Sequence, residues 1–190
     1  MAHTEEDADG HTVVVVPVPG LEPFVRARWD HYDPRWVSRD PAFTHAHVTV
    51  LAPFVADPSP ADLEVLAAIA RDTPAFGFAL RSVAEFPNGI IHTGPEPAAP
   101  FAELTGRVVE AYPGHPPYAG EFDPVPHLTL DHAAGPVTVD SVRAALGDLL
   151  PARCRAERLE IHRYAEGDCR VLASWPLGSG ADDCTLLRGR

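Results

Sequence analysis

Apolar positions along the chain follow two periods. Strand-like alternation, or short β-branched runs, occupies residues 12–18, 45–51, 76–86, 90–93, about 125–131, 155–164 and 169–177. Helical spacing occupies about 21–30, 59–71, 101–112 and a segment from 138 onward. Ser59-Pro60-Ala61-Asp62 reads as a helix start, with a Ser cap, Pro at the first position and an acid at the positive end of the dipole. Leu63, Leu66 and Ala70 then share a face, as do Phe101, Leu104, Val108 and Tyr112. Thr138 caps a helix whose Val142, Ala145, Leu146, Leu149 and Leu150 recur at i, i+3, i+4, i+7 and i+8. Pro23 fits the first helix only in its opening turn. Pro87-Asn88-Gly89 and Glu166-Gly167-Asp168 are the turns that join neighbouring strands.

Laid end to end, these elements read strand, helix, strand, helix, strand, and then the same order again. In each half the middle strand carries one polar pair: His47-Val48-Thr49-Val50 and His127-Leu128-Thr129-Leu130, with the histidines 80 residues apart (127 − 47). Side chains two apart in a strand share a face, so His47 and Thr49 point one way and Val48 and Val50 the other. The chain therefore reads as an internal duplication, with repeats at about 12–86 and 89–164, inside one bilobal domain spanning 12–177. Approximate twofold symmetry would set the two middle strands side by side in a central cleft. His47 and His127 would then face one another, close enough to flank one phosphate.

Composition narrows the partners. A formal net charge of −12 and a pI near 5.1 exclude a general binder of long nucleic acid, which needs a broad basic footprint. All 15 basic residues are Arg. Cys154, Cys169 and Cys184 have neither metal-ligand nor redox spacing and read as inert thiols of a reducing compartment. No apolar run approaches the ~20 residues of a membrane span, so a cytoplasmic protein is expected. Residues 1–11 and 178–190 read as loose tails; the oligomeric state is open, and a monomer fits.

The stretch His47-Val48-Thr49-Val50 followed by Leu51-Ala52-Pro53-Phe54, together with Pro126-His127-Leu128-Thr129-Leu130, resembles the signature of the two-histidine phosphoesterase superfamily, and in particular its 2′-5′ RNA ligase-like and cyclic phosphodiesterase branch. The resemblance implies an α+β fold, two antiparallel sheets flanking a central cleft with helices outside. It implies that His47 and His127 act as general acid and base, and that Thr49 and Thr129 bind phosphate oxygens, with no metal and no cofactor. The substrate would be a 2′,3′-cyclic phosphate or 2′-5′ phosphodiester of RNA ends or small nucleotides, and the reverse reaction would join ends. The chemistry is independently sensible. Opening a cyclic phosphate needs a proton removed from water and one given to the leaving oxygen, and two imidazoles divide that work near neutral pH.

Other readings compete. A nucleotide- or RNA-end-binding module with little turnover would keep the same cleft. A metal-dependent hydrolase could use His45 with His47, which share a strand face. The segment 26–39, rich in Arg and aromatic residues, either lines the cleft or is a surface helix and loop whose charges Asp30, Asp33 and Asp40 balance. On the first alternative its substrate-binding candidates are Arg35, Trp36 and Arg39, with Tyr164 from a late strand. His92, His132 and His162 read as structural or surface residues. No phosphate-binding Gly loop or Gly-x-Ser-x-Gly elbow occurs.

Overall fold

Four consecutive valines, 13–16, do not alternate with polar residues because their strand, β1 (His11–Pro17), is buried on both faces. Val14 and Val16 join the main core, whereas Val13 and Val15 join a smaller cluster on the other side with Trp36, Phe43, Tyr164 and Val171. The structure is a computed structural model that describes residues 10–120 and 123–178. The expected tails and Cys184 fall almost wholly outside the described residues, as do two residues of the loop before the second motif.

From β1 the chain continues through α1 (Glu22–Tyr32), β2 (His47–Leu51), α2 (Pro60–Arg71), β3 (Phe76–Leu80) and β4 (Ala84–Glu85). Then come β5 (Ile90–Thr93), β6 (Pro95–Glu96), α3 (Ala99–Ala111), β7 (Leu128–His132), α4 (Val139–Leu146), β8 (Ala152–Ala156), β9 (Arg158–Tyr164) and β10 (Arg170–Pro176). All named strand pairs are antiparallel, and they form three ladders rather than the two sheets expected: β10-β9-β1-β2, β4-β5-β7 and β6-β3-β8.

The duplication is visible in the register. Val14 pairs with Leu51 and Val15 with Thr49; Ile91 pairs with Asp131 and His92 with Thr129. Both ladders slip by one residue directly after the motif threonine, at Val50 and at Leu130, so each motif strand bulges at the same place. The last strand of each half changes sheet in the same way. β3 and β8, which follow the second helix of each half, pair with one another, while β4 and β9 add to β5 and β1. That exchange explains two departures from the expected elements. Residues 76–86 and 155–164 are not single strands, because the chain must leave one ladder at 81–83 and at Glu157 to reach the next.

Side-chain caps start two of the four helices named above. Ser59 and Asp62 form a reciprocal capping box at α2, and Thr138 and Ser141 form one at α4. All four residues expected on the α3 face are buried. α4 is shorter than its pattern because Gly147 leaves the helix with φ +50°; of its expected face only Val142 and Leu146 are buried, and Ala145 and Leu149 are exposed. In the 87–89 turn Gly89 has φ +86°, and a Cβ there would meet the His132 ring at 3.0 Å, so Gly is required twice over. Among the described residues no helix is long and apolar enough to cross a membrane.

Candidate active site

β2 and β7 are each the edge strand of their ladder, and they lie against one another. On β2 the apolar residues Val48 and Val50 are buried, whereas His47 and Thr49 are half-buried; Leu128 and Thr129 repeat this on β7. His47, Thr49 and Thr129 line one cavity of about 460 Å³, a size suited to a small ligand. Its floor is the β1 and β9 face carrying Val13 and Tyr164, and α1 forms a wall. His127 immediately precedes β7, two residues from Thr129, and does not line this cavity. Its ring packs edge-on against Phe86 (5.0 Å) and His92 (5.5 Å).

The two histidines differ in how their rings are held. His127 Nδ1 donates to the carbonyl of Val125, two residues back, at 2.7 Å; a carbonyl can only accept, so the proton of the neutral ring is on Nδ1 and Nε2 is left for chemistry. His47 Nδ1 is buried with no hydrogen bond of good geometry, and again the carbonyl two residues back, of His45, lies close. Burial pushes the His47 imidazole down to about 3, helped by neighbouring His162, with the His45 and Thr44 carbonyls offsetting only part. Burial also lowers His127, opposed by the Val125 carbonyl, and lowers His92 to about 4, with His127 adding to the effect.

A charged cluster spans the cavity. Asp131 on β7, its side chain 1% exposed, meets Arg28 Nε of α1 at 2.5 Å, accepts from the Tyr32 hydroxyl at 2.5 Å, and Arg28 donates to that hydroxyl at 2.9 Å. Burial works against the Arg28 charge, but Asp131 and Tyr32 outweigh it. Behind the cavity, Trp29 stacks on Tyr164 (5.6 Å) and Tyr164 on His11 (5.5 Å), an aromatic wall. The Tyr164 hydroxyl is buried without a hydrogen-bond partner, and burial pushes it well above its ordinary value.

Of the substrate-binding candidates from the sequence, Tyr164 lines the cavity. Arg35 and Arg39 do not: both are exposed, and Arg35 is held by Asp33 and Glu166. Trp36 is a core residue, 5% exposed, under the second cluster. The 26–39 segment does reach the cavity, but through Arg28, Trp29 and Tyr32. These stand on the α1 face of Glu22 and Val25 at i, i+3, i+6, i+7 and i+10, so helical periodicity carried the signal. Asp131 was equally legible, two residues past Thr129 on a motif strand. His45 does not fit the metal reading. Its Nε2 accepts from the Ser38 N–H at 3.2 Å and its Nδ1 donates to Glu22 at 2.9 Å, so both nitrogens are engaged. The described residues hold no group of three or more His, Cys, Asp or Glu able to bind a metal ion.

Paired edge strands with matching bulges, each delivering a His and a Thr between two halves of an α+β fold, define the class of a duplicated two-histidine protein. A family model described as the 2′-5′ RNA ligase superfamily matches residues 17–168, and the chain belongs to that superfamily. Solved structures share the fold. LigT of E. coli complexed with 3′-AMP is 16% identical with a TM-score of 0.58, covering 90% of this chain and 99% of its own. LigT in apo form is 19% identical with a TM-score of 0.55 over 90% and 98%. The protein TT0787 of Thermus thermophilus is 20% identical with a TM-score of 0.54 over 90% and 100%. No curated protein matches the chain.

Proposed function

We propose that the protein opens 2′,3′-cyclic phosphates, or cleaves 2′-5′ phosphodiesters, of RNA ends or small nucleotides, using His47 and His127 as the acid–base pair. The observation that carries this reading is the duplication itself: two edge strands that lie against one another, alike in register and bulge, each carry one imidazole and one hydroxyl at equivalent positions. Folding needs no such polar pair twice, whereas in-line displacement at phosphorus needs one proton-transfer group on each side. Thr49 and Thr129, both on the cavity, would hold the non-bridging oxygens where negative charge grows.

Burial favours the neutral form of both rings. A bound phosphate brings negative charge beside them and raises both, which allows one to enter the reaction protonated. Each correctly protonated group is worth about 10²–10⁴-fold in rate. The aromatic wall of Trp29 and Tyr164 offers a base or ribose an apolar surface, and the Tyr164 hydroxyl a donor. The finding of 3′-AMP and of NADP+ on LigT supports a small nucleotide rather than a long RNA. With a net charge of −12, the surface favours the same choice. A panel of 2′,3′-cyclic nucleotides, ADP-ribose cyclic phosphate and 2′-5′ dinucleotides, followed by phosphorus NMR, tests the reading. Turnover of at least one member to a monophosphate is expected, and its persistence after exhaustive EDTA treatment as well. Binding of the panel without any turnover would transfer the reading to a nucleotide-binding module.

A further inference from the structure

The two halves of the site differ behind the motif histidines. Ile161 lies opposite Val14 as Glu85 lies opposite Ile91, so the next residues, His162 and Phe86, are counterparts. Phe86 sets a phenyl ring edge-on to His127 at 5.0 Å; His162 sets an imidazole edge-on to His47 at 5.9 Å. His162 is fully buried. Its Nε2 donates to Glu160 Oε2 at 2.8 Å, and that carboxylate is itself 7% exposed. Glu160 Oε1 accepts from the Ser174 hydroxyl at 2.6 Å, which accepts from Arg158 at 2.7 Å, and Phe43 covers the imidazole at 4.3 Å. A buried ionisable pair is an expensive way to fill a position that the other half fills with a partly buried phenylalanine.

We propose that His162, held by Glu160, is a positioning residue that makes the two motif histidines unequal, so that His47 accepts the proton in ring opening and His127 donates it. The assignment rests on the phosphodiesterase reading above. As the bond from water oxygen to phosphorus forms, the water proton passes to His47; as the bond to the ribose oxygen breaks, that oxygen takes the proton of His127. The product is a monophosphate, and one proton exchange with solvent resets the pair.

A positive charge on the His162 ring would stand 5.9 Å from the His47 ring, and at an effective dielectric constant of about 20 a charge at that distance disfavours a second one on His47 by roughly two pH units. Of the other groups around His47, the Glu160 carboxylate offsets part of this and the rest do not. His45 is in its neutral tautomer on Glu22, Tyr164 stays a neutral phenol, and across the cavity the Arg28 and Asp131 charges pair with each other. Beside His127, Phe86 has no charge and His92 is neutral above a pH of about 4.

The test is an NMR titration of the His47 imidazole in the full chain, wild type beside His162→Gln, whose amide can still donate to Glu160 without carrying charge. Phe86→His, at a less buried position, is the reciprocal variant. His47 should titrate at least about one pH unit higher in His162→Gln, with the acid limb of kcat/KM for 2′,3′-cyclic AMP moving up by the same amount. In Phe86→His the basic limb should move down. An unchanged His47 midpoint overturns the proposal, as does a fall in rate at all pH values with neither limb displaced, or displacement of the basic limb in His162→Gln. Absence of turnover on every cyclic nucleotide would instead sink the phosphodiesterase reading, while the NMR arm still reads the coupling.

Discussion

Acidification should destabilise the protein through the histidines that it buries neutral. His47 is pushed down to about 3 and His92 to about 4, whereas in the unfolded chain both titrate near 6.5. Between those values the unfolded state binds protons that the folded state refuses, so stability is intact above pH 6.5 and is lost as the pH falls. At pH 5 the unfolded ring has gained 1.5 pH units of protonation free energy at 1.36 kcal/mol each, or about 2 kcal/mol per histidine. Substituting His47→Gln removes one of the two. Urea unfolding at pH 7 and pH 5 measures the effect, and with an m-value of about 2 kcal/mol/M the acid shift of the midpoint should shrink by about 1 M in the variant. If His47→Gln loses as much stability between the two pH values as wild type does, burial does not hold His47 neutral and the electrostatic account of the site fails.

Replacing Asp131→Asn takes the carboxylate from Arg28 and should cost about 1–3 kcal/mol, the ion pair being only partly buried. The same change frees Arg28 and removes a negative charge from the cavity, so calorimetry should show 3′-AMP bound several-fold more tightly; weaker binding would contradict this. Ser59→Ala removes the α2 cap at a cost of about 1 kcal/mol with turnover untouched, and a changed kcat would be unexplained by the structure. Trp36→Ala should cost about 3–5 kcal/mol in thermal or urea unfolding as a core truncation. Arg35→Ala should leave stability within about 0.5 kcal/mol and nucleotide affinity unchanged. A large affinity loss in Arg35→Ala would restore that residue to the cleft.

The motif strands and the duplication were legible because each has a local signature, a polar pair on an alternating strand and a capped helix after it. The exchange of β4 and β9 between halves was not, because nothing local to 81–83 or Glu157 marks a change of partner; that is fixed by which ladder has an open edge. The Arg- and Trp-rich segment shows the same limit. Its composition left open whether it lines the cavity or the surface, and composition does not say which of Arg28 and Arg35 stands on the helix face of Val25; periodicity does, and it selects Arg28, Trp29 and Tyr32. His162 read as structural from its strand, and it is buried; its contact with His47 depends on β9 adding beside β1, a pairing between residues about 150 apart. His45 looked like a ligand by sharing a strand face with His47, yet β2 starts only at His47, and its ring serves to tie α1 to the preceding loop.

The central claim is that two histidines from equivalent strands share one reaction, and turnover of a 2′,3′-cyclic nucleotide by His47→Ala and His127→Ala measures it most directly. Each single variant should lose at least about 10²-fold in kcat while still binding the nucleotide, and the double variant should lose little more than either, since the two groups act as a unit. Undiminished turnover in either single variant would contradict the account.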